Sequence, residues 1–112
     1  MRFYRSQRVE KLIREELSKI LVREFEFPNA LVTVTEVQVD KKMDHAKVMI
    51  SVIPSKAGDS ALHTLNKDIG MVQHMLLKKI NIKPMPRISF ALDHGMENAA
   101  RVEKVLIKGE EE

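Results

Sequence analysis

Residues 61–80 read ALHTLNKDIGMVQHMLLKKI, and this stretch carries a helical pattern of apolar residues with a glycine in its middle. The apolar residues recur every three or four positions on both sides of Gly70: Ala61, Leu62, Leu65 and Ile69 precede it, and Met71, Val72, Met75, Leu76 and Ile80 follow it. A glycine inside a helix costs about 1 kcal/mol relative to alanine. We therefore expect two helices joined by a kink at Gly70 rather than one long helix.

The chain that follows these helices is predicted to be extended. Pro84 and Pro86 cannot continue a helix, and residues 88–92, ISFAL, then alternate as a strand. Residues 93–95 end that strand. Residues 96–107 have helical composition and predict one more helix near the end of the chain.

The chain that precedes the helices is predicted to form a β-hairpin. Residues 31–40 are rich in β-branched side chains, but Val32 and Val34 lie at even positions whereas Val37 and Val39 lie at odd ones. One extra residue near Thr35-Glu36, a β-bulge, would place all four on a single buried face. The polar residues 40–44 then turn the chain, and residues 46–52 alternate as a second strand with Lys47, Met49 and Ser51 on its polar side. The short connection favours antiparallel pairing.

Helix starts are predicted at two capping residues. Ser6 is expected to cap a first helix over residues 6–24, which Pro28 cannot extend. Its apolar stripe comprises Val9, Leu12, Ile13, Leu17, Ile20 and Leu21. After a loop at residues 54–58, Asp59 or Ser60 is expected to cap the next helix.

The predicted order is helix, strand, strand, helix, kink, helix, strand. Three strands cannot cover themselves, so the helices must pack on the sheet in a two-layer α+β fold. This is the connectivity of a type II KH domain, an architecture common among RNA-binding proteins. We expect residues 1–112 to form a single KH-like domain with short flexible ends, at about 1–4 and 108–112.

Composition argues against several classes of function. There is no cysteine, no apolar run of membrane-spanning length and no apolar signal at the start, so we expect a cytoplasmic protein. The four histidines are far apart, and neither His45 nor His94 lies in a recognisable catalytic pattern. We therefore expect no enzymatic activity, no metal and no cofactor.

The net charge of +3, with basic residues frequent before Pro28, suits a binder of phosphate backbones.

The features by which KH domains and related modules hold single-stranded RNA are missing. KH domains clamp RNA with a Gly-x-x-Gly loop, and no two glycines here are three residues apart. The few aromatic residues offer no stacking platform, since Phe25 and Phe90 are expected in the core. A basic surface that binds folded RNA by its backbone is still compatible with the sequence.

A resemblance to a known family rests on residues spread along the chain. They are Arg5 and Arg8-Val9 in the first helix, Val34-Thr35-Glu36-Val37-Gln38-Val39 in the first strand, Met43-Asp44-His45-Ala46-Lys47-Val48 through the hairpin, Leu65, Gly70 and Leu76 in the kinked helices, and Pro86-Arg87-Ile88-Ser89-Phe90 with Asp93. In order and spacing, from about Arg5 to about Leu106, the chain resembles the ribosome-binding factor A family of bacterial small-subunit assembly factors. That family is known for a KH-like fold whose Gly-x-x-Gly loop is replaced by an Ala-x-Gly kink; here the kink motif is Asp68-Ile69-Gly70. A basic residue common after the kink in relatives is Gln73 here, which removes a phosphate contact.

The resemblance implies a non-enzymatic factor that binds the free small (30S) ribosomal subunit and assists late maturation and processing of 16S rRNA, near its 5′-terminal helix. It also implies a link to growth in the cold. The partners would be the small subunit and its rRNA, with no membrane, and nothing in the sequence demands more than a monomer. The alternatives are a protein-interaction module and a generic KH-type RNA-binding protein, the latter disfavoured by the missing loop.

Contacts to rRNA phosphates are predicted for basic residues and for the kink. The predicted RNA- or ribosome-binding residues are Arg2, Arg5, Arg8, Lys41, Lys42, Lys67, Gly70, Lys78, Lys79 and Lys83. Gly70 is expected to need backbone freedom that a β-carbon would restrict. The amides that open the second helix would suit a phosphate, and the Asp68 carboxylate is expected to compete by capping them.

Overall fold

The computed structural model describes the backbone of residues 2–93 and the side chains of residues 5–93. The elements are helix α1 (Arg2–Glu24), strands β1 (Leu31–Val39) and β2 (His45–Ile53), a short 3-10 helix (Ser55–Ala57), helices α2 (Gly58–Lys67) and α3 (Ile69–Ile80), and strand β3 (Arg87–Leu92). The helix predicted over residues 96–107 and the flexible end predicted at 108–112 lie outside the described residues.

The three strands form one mixed sheet in the order β1-β2-β3. β1 and β2 are antiparallel, as the short connection between them predicted. β2 and β3 are parallel, because α2 and α3 carry the chain back to the starting end of the sheet before β3 begins. The predicted α+β arrangement of helices on a three-stranded sheet is confirmed.

A β-bulge at Thr35 sets which side chains of β1 are buried. Val34 pairs with Ile50 and Glu36 pairs with Met49, so Thr35 is the extra residue that the changed parity predicted. In a regular strand, residues three positions apart face opposite sides of the sheet. Because of the bulge, Val34 and Val37 both face the helices.

The hydrophobic core lies between the helices and one face of the sheet. On β2 the alternate residues Ala46, Val48, Ile50 and Val52 are buried, and the other face of that strand is open. The remaining buried residues come mainly from the helical stripes and include Ile13, Leu17, Ile20, Leu65, Val72 and Leu76. Phe25 and Phe90 are in the core as expected. Leu12 and Met71, predicted to be buried, are each 42% exposed, because each lies at the margin of its helical stripe.

Both predicted helix starts are wrong. α1 begins at Arg2, so Ser6 lies inside the helix; a cap contributes only about 1 kcal/mol and does not force a helix to begin where the preceding residues are also helical. α2 begins at Gly58 directly after the 3-10 helix, with Ala57 at its cap position and no side-chain cap. Asp59 and Ser60 therefore lie within the first turn of α2.

Candidate nucleic-acid interface

The hairpin turn between β1 and β2 is built around Asp40. The N–H groups of Asp44 and His45 donate to its Oδ1 at 2.7 and 3.2 Å, and the N–H of Met43 donates to its carbonyl oxygen at 3.0 Å. The backbone hydrogen bond from His45 is the main cause that holds the pKa of Asp40 below its usual value, and the bond from Asp44 adds to it. The Asp40 carboxylate is thus held by the turn itself, while the side chains of Lys41 and Lys42 are exposed.

The start of β3 lies at the same end of the sheet as this turn. The N–H of Arg87 donates to the carbonyl oxygen of Asp44 at 2.8 Å, which joins β3 to the hairpin turn. Lys83 is exposed in the loop that leads from α3 to Arg87. Lys78 and Lys79 are exposed in the last turn of α3, from which that loop starts.

The first half of α1 also lies at this end. The N–H of Val39, the last residue of β1, donates to Oε2 of Glu10 at 2.8 Å. Arg5 and Arg8 are exposed and precede Glu10 by less than two helical turns. Arg2 begins the same helix, and its side chain is outside the described part. The structure therefore gathers the start of α1, the hairpin turn and the start of β3 into one region, which we call the turn end.

The kink is a second, separate location. Lys67 ends α2, Asp68 lies between the helices and Gly70 is the second residue of α3. Gly70 and Lys79 are about 13 Å apart along the helix axis, so the predicted residues form two groups rather than one site.

Two expectations about the kink are wrong. The break falls at Asp68, and Gly70 has no positive φ; a β-carbon built on it would meet nothing within 4 Å. Gly70 therefore needs no special backbone freedom in the folded protein. The Asp68 side chain makes no capping hydrogen bond, so it does not compete for the amides of α3 in the way predicted. Both residues are exposed at the surface.

Gln73 has a role that its sequence position did not indicate. Its Nε2 donates to the carbonyl oxygen of Pro86 at 2.8 Å, and its Oε1 accepts from the N–H of Ile88 at 2.8 Å. These groups are on the outer edge of β3, where no further strand pairs within residues 2–93. Gln73 thus takes the place of a neighbouring strand at the start of β3. In the sequence, Gln73 is a polar residue between the apolar stripe positions Val72 and Met75, so nothing there indicated this contact.

The described histidines and acidic residues do not gather into a metal centre. No group of three or more His, Cys, Asp or Glu side chains that could hold a metal ion occurs within residues 5–93. His45 lies in the hairpin, with Nδ1 3.6 Å from the Asp40 carboxylate, whereas His63 and His74 are on α2 and α3. His94 falls outside the described residues. No helix within residues 2–93 is long and apolar enough to cross a bilayer.

The fold and the surface together define a KH-like α+β domain with exposed cations grouped at its turn end and one, Lys67, at its kink. The family model described as ribosome-binding factor A matches residues 5–106 of this chain. The chain belongs to the ribosome-binding factor A family.

Individual relatives agree with this assignment. A ribosome-binding factor A of Akkermansia muciniphila is 30% identical over 102 residues, which cover 91% of this chain and 82% of the relative. The crystal structure of ribosome-binding factor A from Thermus thermophilus superposes with a TM-score of 0.65 at 20% identity, covering 78% of this chain and 94% of that one. A homology model of the Thermus thermophilus factor, fitted into a cryo-electron-microscopy map of its complex with 30S, gives a TM-score of 0.58 at 22% identity, covering 73% and 92%. At these identities the solved structures establish the shared fold.

Proposed function

We propose that this protein binds the free small (30S) ribosomal subunit and assists the late maturation of 16S rRNA, near its 5′-terminal helix, without catalysing a reaction itself. The observation that carries the proposal is the family match over residues 5–106, which includes the helices, the sheet and the kink. A relative of the same fold has been fitted into a map of a 30S complex.

The charge distribution supports binding through the RNA backbone. Lys41, Lys42 and Lys83 are exposed at the turn end, and the Asp40 carboxylate beside them is occupied by backbone amides. Such cations contact phosphates and position a protein on RNA without reading its sequence. The kink contributes a second contact, where the exposed start of α3 faces a phosphate.

Sedimentation tests the proposal directly. Tagged protein in a cell lysate is expected to sediment with free small subunits and not with translating ribosomes, and to dissociate as salt rises. In cells that lack the protein, unprocessed precursor of 16S rRNA is expected to accumulate, most strongly at low temperature. Protein that remains at the top of the gradient at low salt would contradict the proposal.

A protein-interaction module is the second candidate, and one observation favours it. Leu31 and Ile53 are cross-strand partners on the open face of the sheet and are 62% and 61% exposed, an apolar pair suited to a protein partner. Binding through this pair would change little between low and physiological salt, whereas binding to RNA falls linearly on a log–log plot against salt.

A further inference from the structure

The face of the sheet that points away from the helices carries its own cations. Because alternate residues of β2 are buried, the residues between them face outward. At the turn end these outward residues are His45 and Lys47 of β2, Arg87 and Ser89 of β3, and Gln38 of β1, all of them exposed. None of them is in the set of RNA-contacting residues predicted from the sequence, although the alternation of residues 46–52 already placed Lys47 on the polar side.

The strand register brings Lys47 and Arg87 close together. Arg87 pairs with His45, and Lys47 pairs with Ser89 on the same side of the sheet. The Cα atoms of Lys47 and Arg87 are therefore on neighbouring strands and offset by two residues, a separation of about 8 Å. Ion pairs among the described side chains join Lys19 to Glu16 and His45 to Asp40, so within residues 5–93 neither Lys47 nor Arg87 forms an ion pair with a carboxylate.

The neighbouring side chains add hydrogen-bond donors and two exposed carboxylates. The Ser89 hydroxyl lies beside Lys47 in the register on one side, and the Gln38 amide lies beside it on the other. The Asp40 carboxylate accepts from the turn amides, and two exposed carboxylates remain near: Asp44 beside His45, and Glu36, which the register places one strand and two residues from Lys47. Cations interspersed with uncharged donors suit the phosphate and ribose oxygens of an RNA strand.

We propose that this patch, carried by Lys47 and Arg87 on the open face of the sheet, is a further RNA contact that binds the phosphate backbone of rRNA. The proposal rests on the proposed function and extends the surface from the hairpin turn, through Lys41 and Lys42, onto the face opposite the helices. An RNA strand can then pass around the turn end and touch both sides of the domain.

The composition of the patch favours RNA over an acidic protein segment. A stable protein interface needs a desolvated apolar centre, and the residues of this patch are all polar or charged. The exposed apolar pair, Leu31 and Ile53, is six residues further along β2, about 20 Å away. No described aromatic side chain is on this face, since Phe90 points into the core and Phe25 stacks on Phe27. The contact is therefore to the backbone and does not read bases.

The test compares two double variants that lose the same charges. Lys47→Gln with Arg87→Gln removes the patch, and Arg23→Gln with Lys56→Gln removes one arginine and one lysine that are exposed at the opposite end of the sheet. Affinities for purified small subunits and for protein-free 16S rRNA are measured across a salt series. The patch variant is expected to bind both more weakly, with a log–log salt slope smaller by about 1.5, whereas the control keeps the wild-type slope.

Each other result overturns the proposal in a distinguishable way. Equal losses in the two double variants would mean that only total charge matters. A loss on intact subunits with unchanged binding to protein-free rRNA would assign the patch to a ribosomal protein. Wild-type protein that binds neither target would reject the proposed function itself, and the patch with it. Circular dichroism and urea midpoints establish that both variants are folded, and protection of Lys47 but not Lys56 from acetylation in the wild-type complex gives a readout that needs no substitution.

Discussion

The hydroxyl of Thr35 lies 2.7 Å from Oδ2 of Asp93, and this hydrogen bond joins β1 to the residue that follows β3, across the intervening strand β2. The same hydroxyl is 3.2 Å from the carbonyl oxygen of Met49. Because a hydroxyl has one hydrogen, it donates to the closer and charged acceptor. The bulge allows this contact, since Thr35 is the unpaired extra residue of β1.

Replacing Thr35 should therefore destabilise the sheet although the position is on the open face. Thr35→Val keeps the branched shape that strands favour and removes the donor, and we expect it to lower the free energy of unfolding by about 1–2 kcal/mol. Urea denaturation measures the loss. Thr33→Val on the same strand is the matched control, because Thr33 is exposed and should change stability by less than about 0.5 kcal/mol. Equal stabilities of the two variants would show that the bond to Asp93 contributes nothing.

The Gln73 side chain should be equally measurable at the other edge of the sheet. Gln73→Ala leaves the carbonyl of Pro86 and the N–H of Ile88 without their partner, and we expect a loss of about 2 kcal/mol. Hydrogen exchange at the Ile88 amide should become faster in the variant, which locates the effect at β3. The exposed Gln38 supplies the control: if Gln38→Ala is as destabilising as Gln73→Ala, the edge contact is not the cause.

The Asp40 turn predicts how acid affects stability. The pKa of Asp40 is lower in the folded protein than in the unfolded chain, so the folded state binds fewer protons at this group. Its contribution is present in full above the unfolded value of about 4 and is lost as the pH falls through the lower folded pKa. Asp40→Asn keeps an acceptor oxygen and removes the titration. The difference in urea midpoint between wild type and this variant should shrink as the pH is lowered below about 4, and a constant difference would contradict the assignment.

Local patterns predicted the elements that depend on alternation and periodicity. The bulge near Thr35 followed from the parity of the valines in β1, and the buried face of β2 followed from simple alternation. Two separate helices were predicted from the glycine within an apolar stripe, although the break falls two residues earlier, at Asp68. These features are set by neighbours in the sequence, so a single sequence contains the information.

Contacts between distant residues could not be predicted in the same way. Gln73 bonds to β3 fifteen residues later, Val39 to Glu10 across 29 residues, and Thr35 to Asp93 across 58. The candidate site has the same limitation: sequence reasoning named lysines by charge, but only the register places Lys47 beside Arg87. The cap at Ser6 failed because a favourable cap residue does not prevent the helix from starting earlier.

Asp68 should weaken the contact that the kink makes with RNA. Its carboxylate is exposed beside the first turn of α3 and bonds to none of that turn's amides, so its main effect on a bound phosphate is repulsion. Asp68→Ala is expected to tighten binding to protein-free 16S rRNA, at a cost of no more than about 1 kcal/mol in stability from the lost interaction with the helix dipole. Asp59→Ala removes the same charge from the first turn of α2. Tightening by both variants to the same extent would assign the effect to net charge and not to the kink.

Gly70 gives the sharpest test of the kink, because the folded protein has no need of a glycine there. A β-carbon at this position would meet nothing within 4 Å, the backbone φ is not positive, and valine has a higher helix propensity than glycine. Gly70→Val should therefore be at least as stable as wild type in urea. If a phosphate approaches the amides of α3, however, the new side chain would stand in its path, and we expect binding to small subunits to weaken about tenfold, the equivalent of one charge-assisted hydrogen bond.

Lys19→Ala is the comparison for Gly70→Val, since it removes a full charge from α1 at a residue already paired with Glu16 at 3.4 Å. We expect this exposed pair to contribute little and the variant to bind almost as wild type does. The reverse pattern, with Gly70→Val binding normally and Lys19→Ala binding poorly, would place the RNA on α1. Because neither substitution disturbs the core, a difference between them reports the position of the ligand and not the stability of the fold.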